Sequence, residues 1–142
     1  MTTSALPDAA TPFGQRVRQR LRDDVVAWLT TVGRDGTPQP NPVWFIWDGD
    51  TLLVYNRPDA KRLQHVRARS SVSLNFDSTS GGNVVVITGR AERLEGEPLP
   101  HENAEYVAKY GQRMVGVSGS QEAFSRQYPV ALRISPVAVR GF

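Results

Sequence analysis

Thr30-Thr31-Val32-Gly33-Arg34-Asp35-Gly36-Thr37-Pro38-Gln39-Pro40-Asn41-Pro42-Val43-Trp44-Phe45 sets an Asp-Gly dipeptide between two strand-like runs. Upstream, Val25 to Val32 is apolar and β-branched; downstream, a second run extends from about Gln39 to Trp47. Asp-Gly suits tight hairpin turns, whose central residues need positive φ, so the spacing predicts an antiparallel pair. Asp48-Gly49-Asp50 turns the chain again into Thr51 to Asn56. Along the second run Val43, Phe45 and Trp47 share one face and Trp44 and Ile46 the other, because strand side chains alternate. Both faces are apolar. The outer one therefore needs a cover, from a partner chain, a ligand or a helix. The expectation is a homodimer surface beside a ligand groove, and Val84 to Ile87 repeats the pattern.

Working outward, Thr11-Pro12 reads as an N-cap and first-turn proline opening a helix to about Asp23, whose Arg16, Arg18, Arg20 and Arg22 make a solvated basic face. Beyond Asn56 come a basic helix of roughly Asp59 to Ala68 and a strand from Ser71 to Asp77. A turn at Ser78 to Gly82 leads to a long strand, Asn83 to Leu94, with Gly89 as a bulge or close-approach point. A helix over Pro98 to Tyr110, a glycine-bearing loop over Gly111 to Ser120 and a short helix over Gln121 to Gln127 follow. The last strand, Val130 to Phe142, contains Pro136, which favours an edge or a bulge. Residues 1–10, small and polar, read as a flexible terminus, and residues 11–142 as one domain. The sum is a mostly β, α+β chain with six antiparallel strands in a small, partly closed barrel and flanking helices. A doubly wound nucleotide fold is disfavoured, since regular strand–helix alternation, Gly-x-Gly-x-x-Gly and a phosphate loop are all missing.

Composition narrows the chemistry. With 39% apolar residues in 142, the chain can bury a real core. The absence of cysteine excludes disulfides, thiolate metal sites and thiol nucleophiles, and fits a reducing compartment. No apolar run is long enough to cross a bilayer, and Met1 to Ala10 lacks a signal-peptide core, so the expectation is a cytoplasmic protein without membrane insertion. The formal charge is +3, with Lys61 and Lys109 the only lysines. Nucleic-acid binding by Trp44, Phe45 and Trp47 is disfavoured, because these rings sit on a strand that reads as buried and the charge excess is modest.

The most informative charged stretch is Tyr55-Asn56-Arg57-Pro58-Asp59-Ala60-Lys61-Arg62-Leu63-Gln64-His65-Val66. It puts Arg57, Lys61 and Arg62 around the first turn of a helix, the end where the positive pole and orphan N–H groups disfavour cations. A bound phosphate would remove the conflict. The alternative at this point is a wet surface on which these cations pair with Asp59 and nearby carboxylates.

From about Val25 onward the chain resembles the split-barrel flavin-binding family that includes the pyridoxamine 5′-phosphate oxidases, and within it the small members that use the deazaflavin coenzyme F420. The matching residues are Thr30 to Phe45 as quoted above, Tyr55-Asn56-Arg57-Pro58-Asp59-Ala60-Lys61-Arg62 and Ser71-Val72-Ser73-Leu74. Gly89-Arg90-Ala91-Glu92 and Pro136-Val137-Ala138-Val139-Arg140 match more weakly. The resemblance implies an FMN-binding-like split barrel and a homodimer with the cofactor groove at its interface. Lys61 then matches the phosphate-binding lysine, with Arg57 and Arg62 as helpers. Tyr55 and Asn56 border the phosphate and ribityl chain, while Gln39, Pro40, Asn41 and Val43 line the ring system. Where the oxidase pattern has a basic residue on the second strand, this chain has Val43, Trp44 and Phe45, which favours the deazaflavin over FMN.

The implied activity is hydride transfer between reduced F420 and a small organic acceptor, for which the protein supplies position and dryness rather than a nucleophile. No catalytic residue is assigned. Tyr55, Tyr110 and Tyr128 could protonate a reduced acceptor, against the commoner role of core filler. His65 reads as solvated helix surface, and with His101 far away in sequence no metal site is expected. An FMN enzyme of the same fold, or a non-catalytic carrier of flavin, deazaflavin or haem, stays open on these residues.

Overall fold

The computed structural model describes residues 4–142. Four helices, α1 (Pro12–Asp23), α2 (Lys61–Ala68), α3 (Ala104–Ser118) and α4 (Gln121–Gln127), flank seven strands. These are β1 (Ala27–Val32), β2 (Pro38–Val43), β3 (Ile46–Trp47), β4 (Leu52–Asn56), β5 (Ser71–Asn75), β6 (Val85–Leu94) and β7 (Val130–Gly141). All pair antiparallel in one sheet of order β2-β1-β5-β6-β7-β4-β3. The two outermost strands, β2 and β3, are joined by Trp44-Phe45 alone. Three Cα steps from Val43 to Ile46 span at most about 11 Å. The covalent chain therefore holds the sheet edges together, and the sheet curls into a barrel.

Seven strands replace the expected six because the second run breaks at this seam. Phe45 N–H donates to the Tyr110 hydroxyl oxygen at 2.9 Å, and its carbonyl accepts from Lys109 Nζ at 3.0 Å. The Tyr110 hydroxyl lies 2.7 Å from the Val25 carbonyl and 3.0 Å from that of Phe45. With both backbone groups of Phe45 satisfied by α3, no strand neighbour is required. Phe45 points into the barrel beside Leu29, Leu52, Leu74, Ile87, Leu132 and Ile134, all buried, and α1 adds Val17 and Leu21.

The outer side of the seam is met by helices. Trp44 stacks on Tyr110 (centroids 4.9 Å apart) and on Phe124 (5.5 Å), within a second cluster that includes Tyr55, Tyr106 and Met114. Helical cover thus accounts for the two-faced pattern where a partner surface was expected. The expected loop over Gly111 to Ser120 is helix too. Asn103 caps α3 by accepting from Tyr106 N–H, Tyr106, Tyr110 and Met114 repeat every fourth residue on the buried face, and Gly119 ends it at φ 89°. Burial of that stripe outweighs the glycine penalty of about 1 kcal/mol. At Gly89 the β6–β7 register shifts and Pro136 lies opposite. An added Cβ would fall 2.5 Å from the Ser135 carbonyl oxygen, so the bulge requires glycine. β4 pairs with β7 only as far as Ile134, which leaves Pro136 with one neighbouring strand.

Lys109 gives this core a pH signature. Burial lowers its amine to about 8, partly offset by Asp24 and Asp23. Its folded pKa lies below the ordinary 10.5, so the unfolded chain binds more protons between those values and stability rises with pH across that window. Above pH 10 the sign reverses, because burial raises Tyr106, Tyr55 and Tyr110, the last to about 12, and the unfolded tyrosines ionise first. Stability measured by denaturant titration is expected to peak near pH 10. Lys109→Met should remove the rise, worth about 1–2 kcal/mol once the amine's access to solvent is allowed for.

Candidate cofactor-binding site

β4 delivers the chain to Asn56, and Arg57 to Ala60 make a turn closed by Ala60 N–H on the Arg57 carbonyl at 3.1 Å. α2 then starts at Lys61, two residues later than its sequence suggests. Its N-cap, Ala60, has no side chain to cap with, and the first turn holds no acid. Asp59 is left outside, 3.8 Å from Arg57 and largely exposed, a separation and setting that contribute little. Among the described residues neither Lys61 nor Arg62 has a carboxylate within ion-pair distance. Arg62 is partly buried, and the loss of water pushes its guanidinium below its ordinary value.

These cations face a cavity of 860 Å³. One wall is Arg57, Lys61, Arg62 and His65; the other is Thr31, Arg34, Asp35, Gln39 and Asn41 from the β1–β2 hairpin. Register places Gln39 opposite Thr31 and Asn41 opposite Leu29, on the barrel-facing side. The hairpin tip is set by Gly36 at φ 86° and by Thr37 N–H donating to Asp35 Oδ1 at 3.0 Å, a contact that holds the Asp35 carboxyl below its usual range. Arg62 also lines a smaller, aromatic cavity of 200 Å³ with Val43, Trp44, Tyr55, Phe124 and Tyr128. A basic chamber and an aromatic one thus meet at a single guanidinium.

Seven of the nine residues expected to hold a cofactor line these chambers: Gln39, Asn41, Arg57, Lys61 and Arg62 the first, and Val43, Tyr55 and again Arg62 the second. Pro40 pairs with Thr30 on the outer face of the sheet. Asn56 is buried, and its Nδ2 donates to the carbonyls of Val54 (3.0 Å) and Val130 (3.1 Å), so it ties β4 to β7 and lines neither chamber. The Tyr55 hydroxyl donates to the Pro98 carbonyl at 2.6 Å, leaving only its ring to the cavity. Tyr110 is likewise engaged. Tyr128 stacks on Phe124 at 4.5 Å and lies beneath the Arg57 guanidinium at 5.4 Å.

His65 differs from its expected place on a solvated surface. Nδ1 lies 2.9 Å from the hydroxyl of buried Thr31, and the ring lines the basic chamber. The signal was its spacing: four residues after Lys61, it shares that residue's helical face. Thr31, Arg34 and the ring of Phe124 had no such signal, because their roles depend on chain segments distant in sequence, whereas Trp44 was marked by the two-faced pattern of its strand.

A curled antiparallel sheet with flanking helices and a basic cleft at a strand-to-helix junction is the architecture of a split-barrel protein. The family model described as pyridoxamine 5′-phosphate oxidase matches residues 13–141, and the chain belongs to that family. Among solved structures, an F420 reductase superposes with a TM-score of 0.67 at 24% identity, covering 87% of this chain and 94% of its own. A protein from Listeria innocua described as a putative pyridoxamine 5′-phosphate oxidase gives 0.64 at 22% identity, with 89% and 94% covered. The haem storage protein HutZ from Vibrio cholerae gives 0.65 at 13%, with 89% and 92% covered. At these identities the likenesses establish the fold. No curated protein matches the chain. Among the described residues no helix is long and apolar enough to cross a membrane.

Proposed function

We propose that this chain is an oxidoreductase that binds the deazaflavin coenzyme F420 and passes a hydride between it and a small organic acceptor. The observation that carries the reading is Lys61–Arg62 at an uncapped helix start, with no ion pair among the described residues, facing a chamber of 860 Å³. That volume is within the range of about 300–1,000 Å³ usual for cofactor sites. Lys61, Arg62 and Arg57 fit a phosphate, and the N–H groups opening α2 add donors of the right sign. Gln39 and Asn41 present amides to the polar edge of a ring, and Val43 and Trp44 supply the dry wall that hydride transfer needs. The coenzyme itself supplies the hydride. Tyr128, which lines the aromatic chamber, would be the proton donor to an acceptor bound there.

The homodimer belongs to the same proposal. Trp28, Thr30 and Val32 on β1 lie opposite Pro42, Pro40 and Pro38 on β2, and Asn75 and Ser73 on β5 continue the row, so this outer face is uncharged across three strands. Trp28 is 37% exposed, and Val137, which lines a groove with Thr30, Val32, Pro38 and Arg90, is 60% exposed. A second copy would cover them.

Titrating the purified protein with F420, FMN and FAD while following coenzyme fluorescence, with sedimentation in parallel, tests both parts. The expected result is micromolar or tighter binding of F420 by a dimer. Binding of FMN alone would move the assignment to the FMN enzymes of this fold, and haem binding with neither coenzyme to a carrier. A monomer at micromolar concentration would remove the dimer from the proposal.

A further inference from the structure

A separate cavity of 670 Å³ lies on the other side of the seam, sharing no residue with the two chambers above. Arg18 and Arg22 of α1, Trp47 of β3, and Glu105 and Lys109 of α3 are among its walls. Lys109 is held there in a fixed pose. Its Nζ donates to the Phe45 carbonyl at 3.0 Å, sits 3.9 Å from the centre of the Phe45 ring, and has no carboxylate within ion-pair distance among the described residues. Asp23 and Asp24 influence it only at longer range, and Asp23 is engaged by Arg22 at 3.0 Å. Arg18 is fixed as well, with Nη1 donating to the carbonyls of Pro7 (2.8 Å) and Gly14 (2.9 Å). Those two bonds use one nitrogen, and among the described residues the rest of the guanidinium has no hydrogen-bond or ion-pair partner, which leaves it donors for an acid.

We infer that Lys109 is a covalent site for a small carbonyl compound carrying an acidic group, such as an aldehyde acid or a 2-oxo acid, held as an imine on Nζ with its carboxylate on Arg18. In the step, the Nζ lone pair forms a bond to the carbonyl carbon, the C–O bonds break, and the oxygen leaves as water with one proton from the amine and one from solvent. Nothing is oxidised or reduced. The protonated imine keeps one N–H for the Phe45 carbonyl and keeps its positive charge over the Phe45 ring, so both contacts that now hold the amine persist in the adduct. Burial, which lowers the amine to about 8, supplies the unprotonated form near neutral pH.

Only two lysines are present, so Lys61 serves as an exposed internal reference. The full chain is treated with glyoxylate and cyanoborohydride at pH 7.5, and carboxymethylation is mapped by peptide mass spectrometry. Lys109 is expected to react about tenfold faster than Lys61, since its cavity holds Arg18 for the carboxylate and burial lowers its own amine. With propionaldehyde, which has no acid, the preference should shrink. Arg18→Gln should slow glyoxylate at Lys109 about fivefold or more and leave propionaldehyde unchanged, because only the first uses the guanidinium. Lys109→Arg, which keeps the charge and the packing, should abolish the adduct while Lys61 reacts as before. Equal rates at the two lysines would overturn the proposal. So would an Arg18→Gln variant that treats both carbonyl compounds alike.

Discussion

Replacing Lys61 and Arg62 together by Ala is expected to weaken binding of a phosphate-bearing flavin or deazaflavin by about 3–6 kcal/mol, at least a hundredfold. Each charge-assisted contact to phosphate contributes about 1.5–3 kcal/mol, and removing both also removes the cations that face the chamber where α2 begins. The side chains are neighbours on one ligand group, so the two effects need not add, and the single variants bracket the coupling. Lys61 is exposed, and among the described residues Arg62 makes no ion pair, so neither loss should unfold the chain. Fluorescence titration of wild type, both single variants and the double variant is the measurement, with circular dichroism as the folding control. An unchanged dissociation constant in the double variant would end the case for an anion site at this junction. Cofactor binding that survives elsewhere would leave the split barrel intact but empty this groove of its role.

Phe45→Ala is expected to destabilise the protein by about 3–5 kcal/mol, lowering the thermal midpoint by about 10–20 °C. Phe45 is fully buried, meets Phe76 at 5.7 Å, and carries Lys109 above its ring at 3.9 Å. It also occupies the two-residue crossing that joins the edges of the sheet, so a cavity there loosens both the barrel wall and the contact with α3. Tyr110 should mitigate the loss only in part, because its hydroxyl holds the backbone of residue 45 rather than the side chain. Thermal unfolding followed by tryptophan fluorescence reads the change directly, with Trp44 as the local reporter. A loss below about 1 kcal/mol would show that the crossing is not part of the core.

The legible parts of this molecule were those set by neighbours along the chain. Thr11 caps α1 as its type predicts, Gly36 takes the positive φ that Asp-Gly signals, and Gly89 marks the bulge that its missing Cβ allows. The concentration of Arg57, Lys61 and Arg62 at a helix start was visible for the same reason, since a dipole and its orphan amides are local properties. Misreadings arose where distant contacts override local preference. Gly111 looked like a loop signal, yet the Tyr106-Tyr110-Met114 stripe buries against the sheet and carries the helix through it. Trp44-Phe45 looked like mid-strand, yet Tyr110, sixty-five residues beyond Phe45, takes over its backbone bonds. His65 looked solvated until the hydroxyl of Thr31, thirty-four residues earlier, was placed against it.

The sequence by itself determined the hairpins, the bulge and the basic helix start, because turn conformations and helix dipoles depend on residues a few positions apart. Only the tertiary structure decided that β2 and β3 are opposite edges of one curled sheet, and that Gln39, Asn41, Lys61, Arg62 and His65 share one chamber. It also decided that Lys109 faces a separate cavity with Arg18. Strand order and cavity walls are set by which apolar surfaces can be buried together, and that choice is made between segments that the order of residues along the chain leaves far apart.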